Sequence, residues 1–278
     1  MSESINIITK KKITPDNYFD ELMKLGEKIC VISDEFPCLK LGNFSTSLRG
    51  IEISEIEKGY EIRVCTFASI ADYQLFRKSI DIIKKITGGK VEYEGEIINR
   101  FDSYKQFDDK WLYSQLEMAV DISTMLAKQS DNPIVYFGMF APFCFGKKML
   151  KHFGIENKKP NETDIFKIRK YFRDMQWFLE DKTSTKSNLV IQDDDGKQKS
   201  ISLIAIKNNK VSDFDFISYA EMILFHDLDN QKFAIMPFEE SINKIPKEKY
   251  SLLDECQMLM KEPLTTNDIR KIIAESQK

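Results

Sequence analysis

Histidine is almost missing from this chain. It occurs at positions 152 and 226, 74 residues apart, in neither place with HxH, HxxxH or HExxH spacing. A histidine-built zinc centre is therefore excluded. The five cysteines (30, 38, 65, 144 and 256) are odd in number and scattered, with no CxxC pair. That excludes a sequence-local zinc ribbon or dithiol motif and leaves free, buried thiols as the expectation. No metal and no cofactor is expected. Arginine supplies only seven of the 41 basic residues, at 49, 63, 77, 100, 169, 173 and 270. Because arginine is the preferred fork for phosphate and guanine, and the net charge is −3, nucleic-acid binding is disfavoured.

Long apolar runs are also absent. The stretch from Pro133 to Gly146 has 14 uncharged residues and is broken by two prolines and two glycines, whereas a spanning helix needs roughly 20. No membrane association is expected. The start, MSESINIITKKK, lacks the basic, apolar and small-residue regions of a secretory signal, which predicts a cytoplasmic protein. No GxSxG elbow occurs, and Gly138 and Gly146 stand too far apart for a Walker loop, with Lys147 followed by Lys148.

What is present is ample core. At 278 residues, 42% apolar and 31% charged, the composition is that of a globular protein of one large domain or two ordinary ones. Ile5–Ile8 predicts a strand. Thr14-Pro15 opens a helix stopped near Gly26. KICVIS (28–33) predicts a second strand, and residues 50–67 predict a hairpin around Glu57-Lys58-Gly59. Ser69 and Asp72 form a capping box for a helix carrying Tyr73, Phe76, Ile80 and Ile83 up to Gly88-Gly89, and Val91–Glu94 predicts another strand. The order β, α, β, β, β, α, β resembles a ferredoxin-like split βαβ unit with one added strand.

The period then lengthens. Trp111, Leu112, Leu116, Ala119, Ile122 and Leu126 predict a long helix, and Ile165, Ile168, Phe172, Met175 and Leu179 predict another from a Thr163-Asp164 cap to about Asp181. Residues 182–187 suit a linker. Two hairpins follow, 188–192 with 200–207 and 222–225 with 232–236, then a helix over Ser251–Met260 opened by a Ser251/Asp254 capping box, and a last helix from Thr266. The fold class expected is α+β: an N-terminal ferredoxin-like domain over residues 1–100, and a helical middle with a C-terminal β-hairpin and short-helix part over 101–278.

Candidates for chemistry gather in NPIVYFGMFAPFCFGKKM, residues 132–149. It predicts a buried strand over 134–137, a turn bounded by Pro142, and a short helix from about Phe145 to Phe153 closed by Gly154. Core packing is the leading expectation for its phenylalanines. Three functional alternatives stand beside it. Phe140, Phe143 and Phe145 would form an aromatic patch for a partner protein. Gly146 and Lys147 would bind an anion at the helix start. Cys144, His152 and Lys147 would assemble a nucleophilic site, although apolar neighbours raise a thiol pKa.

Glu92, Glu94 and Glu96 predict an acidic strand face directed at water or a basic partner. Lys158, Lys159, Lys167, Arg169, Lys170 and Arg173 predict a basic helix surface, solvated in the leading reading, or docking an acidic partner or nucleic acid. Asp193–Asp195 and HDLDN (226–230) read as solvated hairpin tips, since an EF-hand would need glycine and glutamate where Gln198 and Ile204 stand. The expected function is a non-catalytic protein-interaction role (binding, adaptor or inhibitor) with another protein as partner. The competing class is an enzyme with a site around 138–152.

Overall fold

Period-two alternation of apolar side chains builds the first sheet. The computed structural model describes residues 2–34, 37–180, 187–192, 198–207 and 220–276, with backbone alone for 187–192 and 198–202. β1 (Ser2–Ile8), β2 (Ile29–Ser33), β3 (Cys38–Asn43), β4 (Ile51–Ile56), β5 (Gly59–Cys65), β6 (Lys90–Tyr93) and β7 (Glu96–Ile98) form one antiparallel sheet in the order β2-β3-β4-β5-β1-β6-β7. The register sets Ile5 and Ile53 opposite Ile62, and Ile7 opposite Tyr60 and Val91. One face therefore carries the apolar set and is buried.

Two helices cover that face. α1 (Pro15–Lys24) begins at Thr14, whose hydroxyl accepts from the Asn17 N–H. α2 (Ile70–Thr87) begins at the Ser69/Asp72 capping box and ends at Gly88, φ 67°. Tyr18, Leu22, Phe76, Ile80 and Ile83 fill the space between helices and strands, and the Tyr18 hydroxyl meets that of Ser79 at 2.5 Å.

The sheet has seven strands where five were expected. β3 (CLKLGN) is one of the added strands; Leu39 and Leu41 face the core on either side of Lys40, whose Nζ donates to the Gly138 carbonyl at 3.1 Å. β7 arises because Glu94-Gly95 is a tight turn, with φ of 51° and 82°, pairing Tyr93 with Glu96. The expected acidic strand face is thus corrected: Glu94 sits in the turn and Glu92 pairs with Ile97.

The middle of the chain is helical around an aromatic core. α3 (Ser103–Gln106) leads to α4 (Asp109–Gln129), capped by the Asp108 carboxylate. β8 (Ile134–Phe137) and β9 (Pro142–Phe145) form a two-stranded ribbon, so Pro142 opens a strand and not a turn. α5 (Lys147–Phe153) ends at Gly154, and α6 (Glu162–Phe178) is capped by Asn161, which exchanges hydrogen bonds with Asp164. Asn161 replaces the expected Thr163 because a capping box needs the acid three positions on. Phe67 anchors this core, 5.0–5.9 Å from the rings of Tyr136, Phe143, Phe145 and Phe172. The first core in turn takes Leu112 and Leu116 from α4.

β10 (Ser187–Gln192), β11 (Gln198–Lys207), β12 (Met222–Asp227) and β13 (Lys232–Pro237) make a mixed sheet, parallel between β11 and β12. α7 (Phe238–Lys244) and α8 (Thr266–Ser276) contribute Phe238, Ile242, Ile269, Ile272 and Ile273 to its core. The Asp193–Asp195 tip lies outside the described residues. At the other tip Asp227 accepts from the Asp229 N–H and Asn230 Nδ2 and pairs with Arg270 at 2.7 Å, so its oxygens hold the turn.

The helix expected over Ser251–Met260 is a correction. That stretch is a short hairpin, β14 (Tyr250–Leu252) with β15 (Met258–Met260). Asp254 does not cap a helix. Its carboxylate accepts the N–H groups of Cys144 at 2.8 Å and Cys256 at 2.7 Å, and these bonds override the local capping pattern. No helix among the described residues is long and apolar enough to cross a membrane.

Candidate functional site

The residues singled out around position 140 are dispersed. Phe143 and Phe145 are fully buried and offer no surface to a partner; Phe140 is half-buried against Trp177, and Phe137 is the exposed ring. Cys144 is buried beside Cys256 and Asp254, and hydrogen bonding with the Cys256 thiol together with burial pushes its thiol far up. His152 is exposed and lies against Phe153 and Tyr171, at 4.9 and 5.2 Å. Lys147 pairs with Asp131 at 2.5 Å. The three members of the expected nucleophilic site thus have three different sets of neighbours. The anion position at the start of α5 is filled from within the chain, because Glu255 Oε1 accepts the Met149 N–H at 2.9 Å. A Cβ on Gly146 would stand 2.9 Å from that oxygen, so glycine is what lets the carboxylate approach.

The basic surface of α6 divides in two. Most of its charges are matched: Lys158 with Asp164, Lys159 with Asp121 and Glu117, Lys170 and Arg173 with Asp174. Arg169 turns inward. It sits on the shoulder of the buried stripe Ile168, Phe172, Met175 and Leu179, and so does Gln176 seven residues later. Gln176 Oε1 accepts from the Phe140 and Ala141 N–H groups at 3.0 and 3.1 Å, while its Nε2 is buried without a partner. Arg169 has weaker partners still.

Only 7% of Arg169 is exposed. Its guanidinium lies 5.5 Å from the Phe67 ring centroid, and Nη1 reaches the Leu116 carbonyl at 3.5 Å, the limit of a hydrogen bond. Nη2 is buried without a partner, and no ion pair reaches the group among the described residues. Burial lowers its pKa from 12.5 to about 10, partly opposed by Tyr73 and Asp72. Asp72 itself is committed elsewhere, accepting backbone N–H groups of Leu48, Arg49, Gly50 and Ser69 at 2.7–3.1 Å.

Arg169 opens into a cleft of about 1030 Å³, the size of a small-ligand or side-chain pocket. Its walls are the turn after β3 (Asn43, Thr46), the first turn of α2, Tyr113 and Leu116 of α4, and α6 with the residues before it. α2 and α6 both begin at the wall, bringing the positive ends of two helix dipoles to the same space. The rim carries two exposed aromatic rings, Phe166 at 62% and Tyr113 at 59%. Glu117 and Glu162 line the cleft together with the hydroxyls of Thr46, Ser69, Tyr113 and Thr163. What it offers is the Arg169 side chain, its Nη2 itself enclosed by the protein, beside apolar surface; a guanidinium is the group best suited to a carboxylate or similar anion. Sequence reading set Arg169 among the surface charges. The signal available was its position at i+4 from Ile165 and seven before Gln176, inside the apolar stripe.

The fold is α+β, and its cleft is bordered by a buried arginine that no ion pair reaches among the described residues. The chain belongs to the family described as "Domain of unknown function (DUF4299)", which matches residues 4–177. Every residue lining the cleft falls within that span. No curated protein and no solved structure matches the chain.

Proposed function

We propose that the protein is a non-catalytic binding protein whose cleft between α2, α4 and α6 receives a carboxylate of a partner protein, presented beside an aromatic or aliphatic side chain. The observation that carries this reading is the buried, unpaired guanidinium of Arg169. A charge taken out of water without a counter-ion costs several kcal/mol. An incoming carboxylate offsets that cost with paired N–H···O bonds, and Phe166, Tyr113 and Leu116 supply the apolar contact around it.

Two further readings accompany it. The β4-β5-β1-β6 portion of the first sheet, with α1 and α2 in one core, reads as a ferredoxin-like split βαβ unit, supported by its antiparallel strand order; β2, β3 and β7 are additions. A cytoplasmic setting is supported by five cysteines that are all free thiols.

The test is a thermal-shift titration of the full chain with acetyl-Phe-Asp-amide, with acetyl-Phe-Asn-amide and benzoate in parallel. The reading expects the aspartyl probe to raise the melting temperature, the asparaginyl probe to leave it unchanged, and the Arg169→Met variant to respond to neither. A response to benzoate alone would assign the cleft to small carboxylates, and equal responses from wild type and Arg169→Met would overturn the reading.

A further inference from the structure

A second cluster lies outside the cleft, where the 253–257 loop meets β9. Cys144, Asp254 and Cys256 are all buried, and their two sulfurs and a carboxylate oxygen lie within 4.8 Å of one another. The loop reaches across 110 positions of chain to make this contact. We propose that the cluster is a binding site for a zinc-class divalent cation that fastens the C-terminal loop to the aromatic core.

The donor set comes first. Two thiolates with a carboxylate are ligands that zinc takes in tetrahedral sites. Zn–S bonds of about 2.3 Å place two sulfurs about 3.8 Å apart, so sulfurs within 4.8 Å of each other need at most about an ångström of closure.

The electrostatics of the loop supply an independent observation. Glu255 is 8% exposed and Gln257 fully buried, and the acceptor atoms Glu255 Oε2 and Gln257 Oε1 have no hydrogen-bond partner. No ion pair reaches Asp254 or Glu255 among the described residues. Two thiols and the Asp254 carboxyl, with the orphaned Gln257 Oε1 on the same turn, thus share one buried place that no ion pair reaches among the described residues, while Glu255 is committed to the start of α5 and feels Lys148. A divalent cation supplies positive charge at the Cys144, Asp254 and Cys256 donors.

The backbone is arranged as a supporting layer. Cys144 N–H donates to Asp254 Oδ2 and Cys256 N–H to Oδ1, fixing the carboxylate. Gln257 Nε2 donates to the Pro142 carbonyl, and the Tyr171 hydroxyl donates to the Leu253 carbonyl at 2.6 Å, so both ends of the loop are held. Binding is an acid–base exchange with no change of oxidation state. One Zn²⁺ replaces the protons of the Cys144 and Cys256 thiols, giving two Zn–S bonds and releasing two H⁺.

The experiment uses the full chain, produced in zinc-supplemented medium and purified under reducing conditions without chelator. Metal analysis should find about one zinc per chain. Replacing it with Co²⁺ should give the visible and near-ultraviolet bands of a tetrahedral cobalt–thiolate centre. Both should be lost in Cys144→Ser and Cys256→Ser and kept in Cys65→Ser, and Asp254→Asn should weaken binding by roughly 10–100-fold. Should the serine variants fail to fold, wild-type protein still decides: bound metal should protect two thiols from alkylation, and chelation should expose them. Reduced wild type without stoichiometric zinc and without cobalt–thiolate bands would overturn the proposal, as would a Cys144–Cys256 disulfide formed in air by protein that takes up neither metal.

Discussion

Replacing Arg169 with methionine should stabilise the unliganded protein while abolishing its binding. The guanidinium falls from a pKa of 12.5 to about 10 on folding, which at about 1.4 kcal/mol per tenfold places the cost of holding it charged near 3 kcal/mol. Methionine removes that cost. It also loses the contact with the Phe67 ring, about 1 kcal/mol, and some packing volume, about another 1 kcal/mol. The balance is a gain of about 1 kcal/mol, or a rise of about 2–4 °C in melting temperature for a chain of this size. Arg77 is the internal comparison, equally buried but bonded to the Phe107 carbonyl at 3.0 Å and to Asp109 at 3.1 Å. Arg77→Met should lose about 1–3 kcal/mol by leaving that carbonyl unpaired. Calorimetry on the three proteins reads the signs. A loss of more than about 3 kcal/mol in Arg169→Met, the result expected when one member of a buried pair is removed, would refute the premise that Arg169 is unmatched.

Phe145→Ala should cost about 3–5 kcal/mol, measured by urea unfolding, because its ring is fully enclosed next to Phe67 and Phe172. Gly138→Ala would set a Cβ 2.2 Å from Gln176 Oε1 and 2.7 Å from the Ala141 carbonyl; it should break the Gln176 bonds to residues 140 and 141 and lower stability by about 2 kcal/mol or more. Arg270 beside Asp227 holds that carboxyl below its ordinary 3.8. The folded-state pKa then lies under the unfolded one, so the pair's stabilisation is complete above about pH 4 and drains as pH falls through the folded value. Arg270→Gln should therefore be less stable than wild type near neutrality, with the two curves converging in acid; a constant offset down to about pH 2 would contradict this.

What the sequence discloses depends on range. α2 is legible to the residue at both ends because Ser69, Asp72 and Gly88 act within one turn of the backbone they satisfy. The β4–β5 hairpin is legible for the same reason, its register following from a turn and an alternation. β3 is hard to read because Leu39 and Leu41 alone carry its alternation before Gly42 and Asn43. The 251–260 segment was misread because Asp254 has a better use for its oxygens on Cys144 than on its own helix. The cleft lies beyond local reading altogether: its walls come from residues 43 to 173, and Arg169 differs from its basic neighbours only in facing inward. Cys144 and Cys256, isolated in the sequence, meet only after the C-terminal hairpin docks.

The central claim is that Arg169 awaits an anion. Its most direct test is the nitrogen-15 spectrum of the arginine side chains, seven Nε–H signals in all, during titration with acetyl-Phe-Asp-amide. The Arg169 signal should move saturably, together with backbone amides at the starts of α2 and α6, while those of Arg63 and Arg77 stay in place. An unchanged Arg169 signal at probe concentrations that shift other arginines would contradict the claim.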